Sequence, residues 1–96
     1  MHRLRQRIDT LDRRLVALLS ERARLGLAVG EAKATAGQPL RDADREREVL
    51  LRVAAANEGP LSQAELLAIF RRVMLATRRL ERAAHPSPGR RTGPRP

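Results

Sequence analysis

The chain has 96 residues, which is one small domain at most. It has no cysteine, one aromatic residue (Phe70) and two histidines near its ends (His2 and His85), which argues against a disulfide framework, a structural zinc site and an aromatic platform for stacking bases. Twenty basic against eleven acidic residues give +9, so an anionic partner is expected, with nucleic acid, an acidic surface and a small polyanion all open.

Hydrophobic residues make up 42 %, enough for a core. No apolar run approaches the ~20 residues of a membrane span. The start, Met1-His2-Arg3-Leu4-Arg5, offers no apolar signal segment, so a cytoplasmic protein is expected.

The first element runs over residues 4–35, which contain no proline. Leu4, Ile8, Leu11, Leu15, Leu18, Leu25, Val29 and Ala32 repeat at 4,3 spacing, an a/d seam on one long helix. Gly26 and Gly30 interrupt it and weaken it locally by roughly 1 kcal/mol each against Ala. Gly37 and Pro39 then break the chain.

A second, short helix is predicted over residues 42–57, with Asp42 or a neighbour as cap and Val49, Leu50 and Val53 as its apolar stripe. The third helix starts at a capping box, Ser62-Gln63-Ala64-Glu65, with Leu61 and Leu66 as its staple. Leu66, Ile69, Phe70, Val73, Met74 and Leu80 form its apolar face, and it ends near Ala84. Residues 85–96, HPSPGRRTGPRP, hold three Arg and no acid and read as a disordered basic tail. Without them 17 basic residues face 11 acidic, or +6.

The fold class is therefore all-α: three helices, long, short and medium. The first would be about 48 Å long. A compact domain of this size is only about 33 Å across. The helix overhangs any globule the chain makes alone, and its seam continues over the overhang. A second copy, antiparallel and intertwined, is the simplest cover.

Polar residues interrupt all three apolar stripes. Arg22 takes the seam position between Leu18 and Leu25, where it either meets an anion or reaches water at the helix edge. Asp42, Arg45 and Glu46 lead the stripe of the second helix; the plainer alternative is an N-terminal capping cluster with Arg45 paired locally. Thr77 lies in the stripe of the third helix with Glu81 beside it at i+4. Here the plainer alternative has Thr77 bonding to a carbonyl one turn back and Glu81 paired with Arg78. Lys33 is the only lysine against nineteen arginines, a compact point charge or plain chance. Taken together these residues describe a water-poor pocket for a small anion between helices. Arg5 shares the stripe of Lys33 but lies about 42 Å from it along the axis. In an antiparallel dimer centred near residue 16 or 17, Arg5 of one chain falls near residue 28 of the other, between Arg22 and Lys33. Two composite pockets result.

These residues carry a resemblance. Leu4-Arg5-x-x-Ile8-Asp9-x-Leu11-Asp12, Leu18-Leu19-x-Glu21-Arg22, Gly30-x-Ala32-Lys33 and Arg41-Asp42-x-Asp44-Arg45-Glu46-Arg47 are similar to motifs of the all-helical (AroQ, type II) chorismate mutases. The resemblance covers residues 4 to about 82. It implies an intertwined homodimer that converts chorismate to prephenate in the shikimate pathway of aromatic amino acid biosynthesis, an isomerase without cofactor. It implies that Arg22 and the partner's Arg5 bind the two substrate carboxylates, with help from Arg45. Lys33 would donate to the ether oxygen of the breaking C–O bond, while Asp42 and Glu46 would orient the ring hydroxyl. Thr77 falls where the family usually has Ser. Glu81 falls where the bacterial archetype has Gln, and only its protonated form can donate as Gln does. Activity that rises on acidification is the expectation.

Three further readings stand beside this one. Isochorismate-pyruvate lyases and mutases of 4-amino-4-deoxychorismate resemble the same scaffold; Asp42, Arg45 and Glu46 favour a hydroxyl substrate over the lyase reaction but would also accept an ammonium. A basic helical dimer that binds nucleic acid is the remote alternative, drawing on Arg71, Arg72, Arg78, Arg79 and Arg82. The tail offers a contact for another shikimate-pathway enzyme.

Overall fold

The structure, a computed structural model, describes residues 1–86. Three helices follow one another: α1 (His2–Thr35), α2 (Ala43–Ala56) and α3 (Gln63–Ala84). Each boundary has a local cause. At the end of α1, Gly37 takes φ +71. Its amide donates to the Ala34 carbonyl at 3.1 Å, and that of Gln38 donates to Lys33 at 2.8 Å. This is the glycine-terminated helix end, and it satisfies carbonyls that would otherwise be orphaned. Asp42 caps α2, its Oδ1 accepting from the Arg45 amide at 3.0 Å. Ser62 caps α3, its Oγ accepting from the Glu65 amide at 3.2 Å. Between α2 and α3, the Asn57 side chain accepts from the Gly59 amide at 2.9 Å and donates to the Leu61 carbonyl at 3.0 Å.

Helix α3 is the common partner of α1 and α2. The close approach to α1 corrects the reading of two glycines. Gly26 and Gly30 are the places where α3 touches α1, not simply weak points of the helix. A Cβ at Gly26 would collide with the Thr77 methyl, and one at Gly30 would stand 2.8 Å from Glu81 Oε2. The i,i+4 spacing of the glycines matches the i,i+4 spacing of Thr77 and Glu81, as two helices in register require.

The radius of gyration is 17.5 Å, against about 13 Å for a compact domain of this length. No apolar side chain is fully buried among the described residues. Along α1, Leu4, Ile8, Leu11, Leu15, Leu18, Leu25 and Val29 are each 51–63 % exposed, so the whole seam lies open in one protomer. On α3, Leu66, Phe70, Val73 and Met74 are half-buried, whereas Ile69 and Leu80 are exposed. The apolar stripe of α3 is wider than the cover that α1 and α2 provide.

Helix α3 ends at Ala84, as its sequence led one to expect. His85 is the C-cap of α3, half-buried, and its amide donates to the Glu81 carbonyl at 2.8 Å. A helix end needs a cap whatever the composition beyond it. The rest of the expected tail, residues 87–96, lies outside the described residues. No described helix is long and apolar enough to cross a membrane.

Candidate active site

A cleft of about 310 Å³ opens where the C-terminal half of α1, the start of α2 and the C-terminal half of α3 converge. That volume suits a compact small molecule. Arg22, Lys33, Asp42, Arg45, Glu46, Thr77 and Glu81 all line it, together with Arg78 and an apolar floor that includes Leu25, Val29 and Met74. Seven of the eight residues singled out in the sequence therefore meet in one place. Arg5 does not line the cleft; it sits exposed in the first turns of α1.

Each side chain is held by its element. Lys33, in the last turn of α1, donates from Nζ to the Leu40 carbonyl at 3.2 Å. The loop beyond Gly37 thus pins the ammonium at the mouth of the cleft. Arg22 is half-buried. Neither Arg22 nor Lys33 has a carboxylate within ion-pair distance among the described residues. Arg45 reaches the cleft wall, but its Nη1 lies 2.6 Å from Glu48 Oε1, the local pairing that was the plainer expectation. Asp42 spends one oxygen on its cap. Thr77 donates to the Val73 carbonyl at 3.1 Å, so its hydroxyl keeps only acceptor capacity for the cleft.

Glu46 is the surprise in this constellation. Its Oε2 accepts from Arg78 Nη1 at 2.5 Å, and its Oε1 lies 3.6 Å from Arg41 Nη2. The local sequence offered Glu81 as the partner of Arg78, three residues on. The fold instead joins Arg78 to a carboxylate on another helix.

Glu81 is left to face the cleft. It is the one buried charged residue among those described, 8 % exposed, and its carboxyl presses on the backbone of Gly30. Burial pushes its pKa above the ordinary 4.5; Lys33 and Arg78 oppose the rise, Glu46 adds to it, and His85 opposes it. The balance of charge is informative. Arg45 is matched by Glu48 and Arg78 by Glu46. Arg22 and Lys33, which have no carboxylate within ion-pair distance among the described residues, stand beside an apolar floor. No group of three His, Asp or Glu side chains is placed to hold a metal among the described residues.

Comparison with known proteins agrees with this geometry. A family model described as chorismate mutase type II matches residues 4–82. The bifunctional chorismate mutase/prephenate dehydratase of Aquifex aeolicus is 35 % identical over 83 residues, covering 82 % of this chain and 23 % of its own length. Its counterpart in Escherichia coli is 50 % identical over 50 residues, covering 52 % of this chain and 13 % of its own. The chain thus spans less than a quarter of these curated relatives. A solved structure of chorismate mutase (form II) from Thermus thermophilus superposes with a TM-score of 0.80 at 35 % identity, covering 81 % of this chain and 89 % of that one. A match that runs from the first turn of α1 to the end of α3 takes in the whole three-helix unit and every cleft residue, so this chain belongs to the chorismate mutase type II family.

Proposed function

We propose that the chain is an isomerase that rearranges chorismate to prephenate. One observation carries the reading: two cations without an ion-pair partner among the described residues, Arg22 and Lys33, stand with the buried acid Glu81 around a cleft of small-molecule size. A dianion matches that charge. A pericyclic rearrangement also suits a site without an activated nucleophile, because the C–O bond breaks as the C–C bond forms within one molecule.

The work of such a site is restraint and electrostatics. The flexible dianion must be held in its compact diaxial shape, an orientation effect. Arg22 binds one carboxylate, and Arg5 of the partner subunit binds the other, with Arg45 adding positive field. Guanidinium forks suit carboxylates for this purpose. Negative charge grows on the ether oxygen as the bond lengthens. Lys33 and protonated Glu81 donate to that oxygen and so stabilise the transition state more than the ground state. Asp42 and Glu46 orient the ring hydroxyl, and Thr77 borders the pocket between Glu81 and the apolar floor.

The dimer belongs to the same proposal. The open seam of α1 is what an antiparallel copy would cover, and such a copy would carry Arg5 to a cleft that its own chain cannot reach. The test is direct. Purified protein is mixed with chorismate, its loss of absorbance is followed, and the product is identified. Prephenate at a rate well above the uncatalysed one is the expected result. Chorismate that persists unchanged, or is consumed to another product, overturns the reading.

A further inference from the structure

Arg78 is the charged cleft residue that the roles above leave unused. Its guanidinium belongs to the cleft wall and not to solvent: the side chain is 19 % exposed, and Nε is buried with no hydrogen-bond partner among the described residues. Its charge is set against Glu46, 23 % exposed, across the α2–α3 interface. We propose that Arg78 is a specificity-determining residue, which through Glu46 reserves the cleft for a substrate whose ring bears a neutral hydroxyl and rejects one that bears an ammonium. This inference rests on the proposed function and names which member of that substrate class the site takes.

The discrimination comes from charge at Glu46; the Asp42 carboxylate is the same in the parent and in every Arg78 variant and drops out of the comparison between them. An unpaired Glu46 would welcome an ammonium at least as well as a hydroxyl, since charge-assisted hydrogen bonds are the stronger kind. Here Oε2 is occupied by Arg78. Oε1 has Arg41 at 3.6 Å, close enough for attraction but beyond a normal hydrogen bond, and Arg41 is largely exposed. Oε1 therefore keeps a lone pair for one incoming donor. A hydroxyl uses that lone pair and brings no charge. An ammonium brings a full positive charge to a carboxylate already matched by a half-buried guanidinium. It would sit within a few ångströms of that guanidinium, where like charges are poorly screened. The two carboxylates of either substrate meet the same Arg22 and the same Arg5 of the partner subunit, and its ether oxygen the same Lys33. Those contacts cancel in the ratio of the two substrates and leave the Arg78 contribution exposed.

The experiment compares kcat/KM for chorismate and for 4-amino-4-deoxychorismate in the parent, Arg78→Gln and Arg78→Lys. Gln keeps a donor for Glu46 and removes the charge; Lys keeps the charge. The parent is expected to favour the hydroxyl substrate by about a hundredfold or more. Arg78→Gln should lower that ratio at least about tenfold, chiefly through a lower KM for the amino substrate. Arg78→Lys should hold the ratio within about threefold. If Arg78→Gln does not fold, Arg78→Met removes the same charge and carries the same expectation. Equal losses on both substrates, with the ratio unchanged, would make Arg78 a purely structural residue and overturn the inference. So would a parent that turns over the amino substrate as well as chorismate. A parent that turns over neither substrate overturns the proposed function, and this inference with it.

Discussion

At the residue scale the proposed chemistry turns on Glu81 and the two glycines of α1. Burial raises the Glu81 pKa, so the acid keeps its proton to higher pH than an exposed glutamate. Only the protonated form can donate to a developing oxyanion. Turnover is therefore expected to rise on acidification, and Glu81→Gln, a donor at every pH, should flatten the profile. A parent profile flat from about pH 5 to 8 would remove Glu81 from the mechanism. The same shift affects stability. A raised carboxyl pKa contributes stability that is full below its ordinary 4.5 and is lost as pH rises through the raised value. Glu81→Gln should thus resist denaturant better than the parent at about pH 7.5, with the gap closing as pH falls through the raised value toward 4.5.

Gly26 and Gly30 separate packing from chemistry. Thr77 can move its methyl away from a Cβ at Gly26 only by giving up its bond to Val73. Gly26→Ala should therefore destabilise by about 1 kcal/mol net, because overpacking of about 1–3 kcal/mol outweighs the ~1 kcal/mol gain in helix propensity. Glu81 is longer and can swing aside. Gly30→Ala should cost little stability while displacing the carboxyl, cutting kcat and moving the pH profile toward lower pH. Urea titrations and pH–rate profiles on the two variants separate the effects; identical behaviour would contradict this division.

The informative element is α1. An isolated helix of 34 residues whose apolar seam stays more than half exposed has little to hold it in water. In the proposed dimer its stability comes from the copy that covers the seam. Leu15, 55 % exposed in one protomer, lies next to the proposed two-fold axis near residue 16 or 17. Leu15→Glu would place two carboxylates close together in that interface. Sedimentation should show loss of the dimer, and circular dichroism a large loss of helix. A variant that remains helical as a monomer would remove the reason for the antiparallel pairing. The end of α1 also fixes Lys33, since the turn at Gly37 carries the Leu40 carbonyl back to its ammonium.

At the scale of the whole molecule, the proposal makes the site a property of two chains. Arg5→Ala and Arg22→Ala should each abolish most activity as homodimers. When the two variants are unfolded together and refolded at equal concentration, half of the dimers are mixed, and each mixed dimer contains one site with both arginines. About a quarter of the parental activity should return. No recovery would mean that Arg5 serves the cleft of its own chain, or no cleft at all.

Much of this protein is local and was therefore legible in its residues. Helix boundaries depend on groups within four positions of one another: Ser62 with Glu65, Asp42 with Arg45, Gly37 with Ala34. Periodicity also marked the polar residues that interrupt apolar stripes, Arg22, Asp42, Arg45, Glu46, Thr77 and Glu81, and all six line one cleft. What stayed hidden depends on distances between helices. Arg78 had a carboxylate three residues away, yet it joins Glu46, 32 positions back, because α3 lies against α2. Glu81, released from that pairing, is buried against Gly30. The glycines looked like flaws until α3 was seen to pass within contact of α1 at both. Spacing along the chain determines which face a side chain occupies. Only the packing of α3 between its neighbours decided which cation meets which carboxylate, and so which acid is left in the cleft.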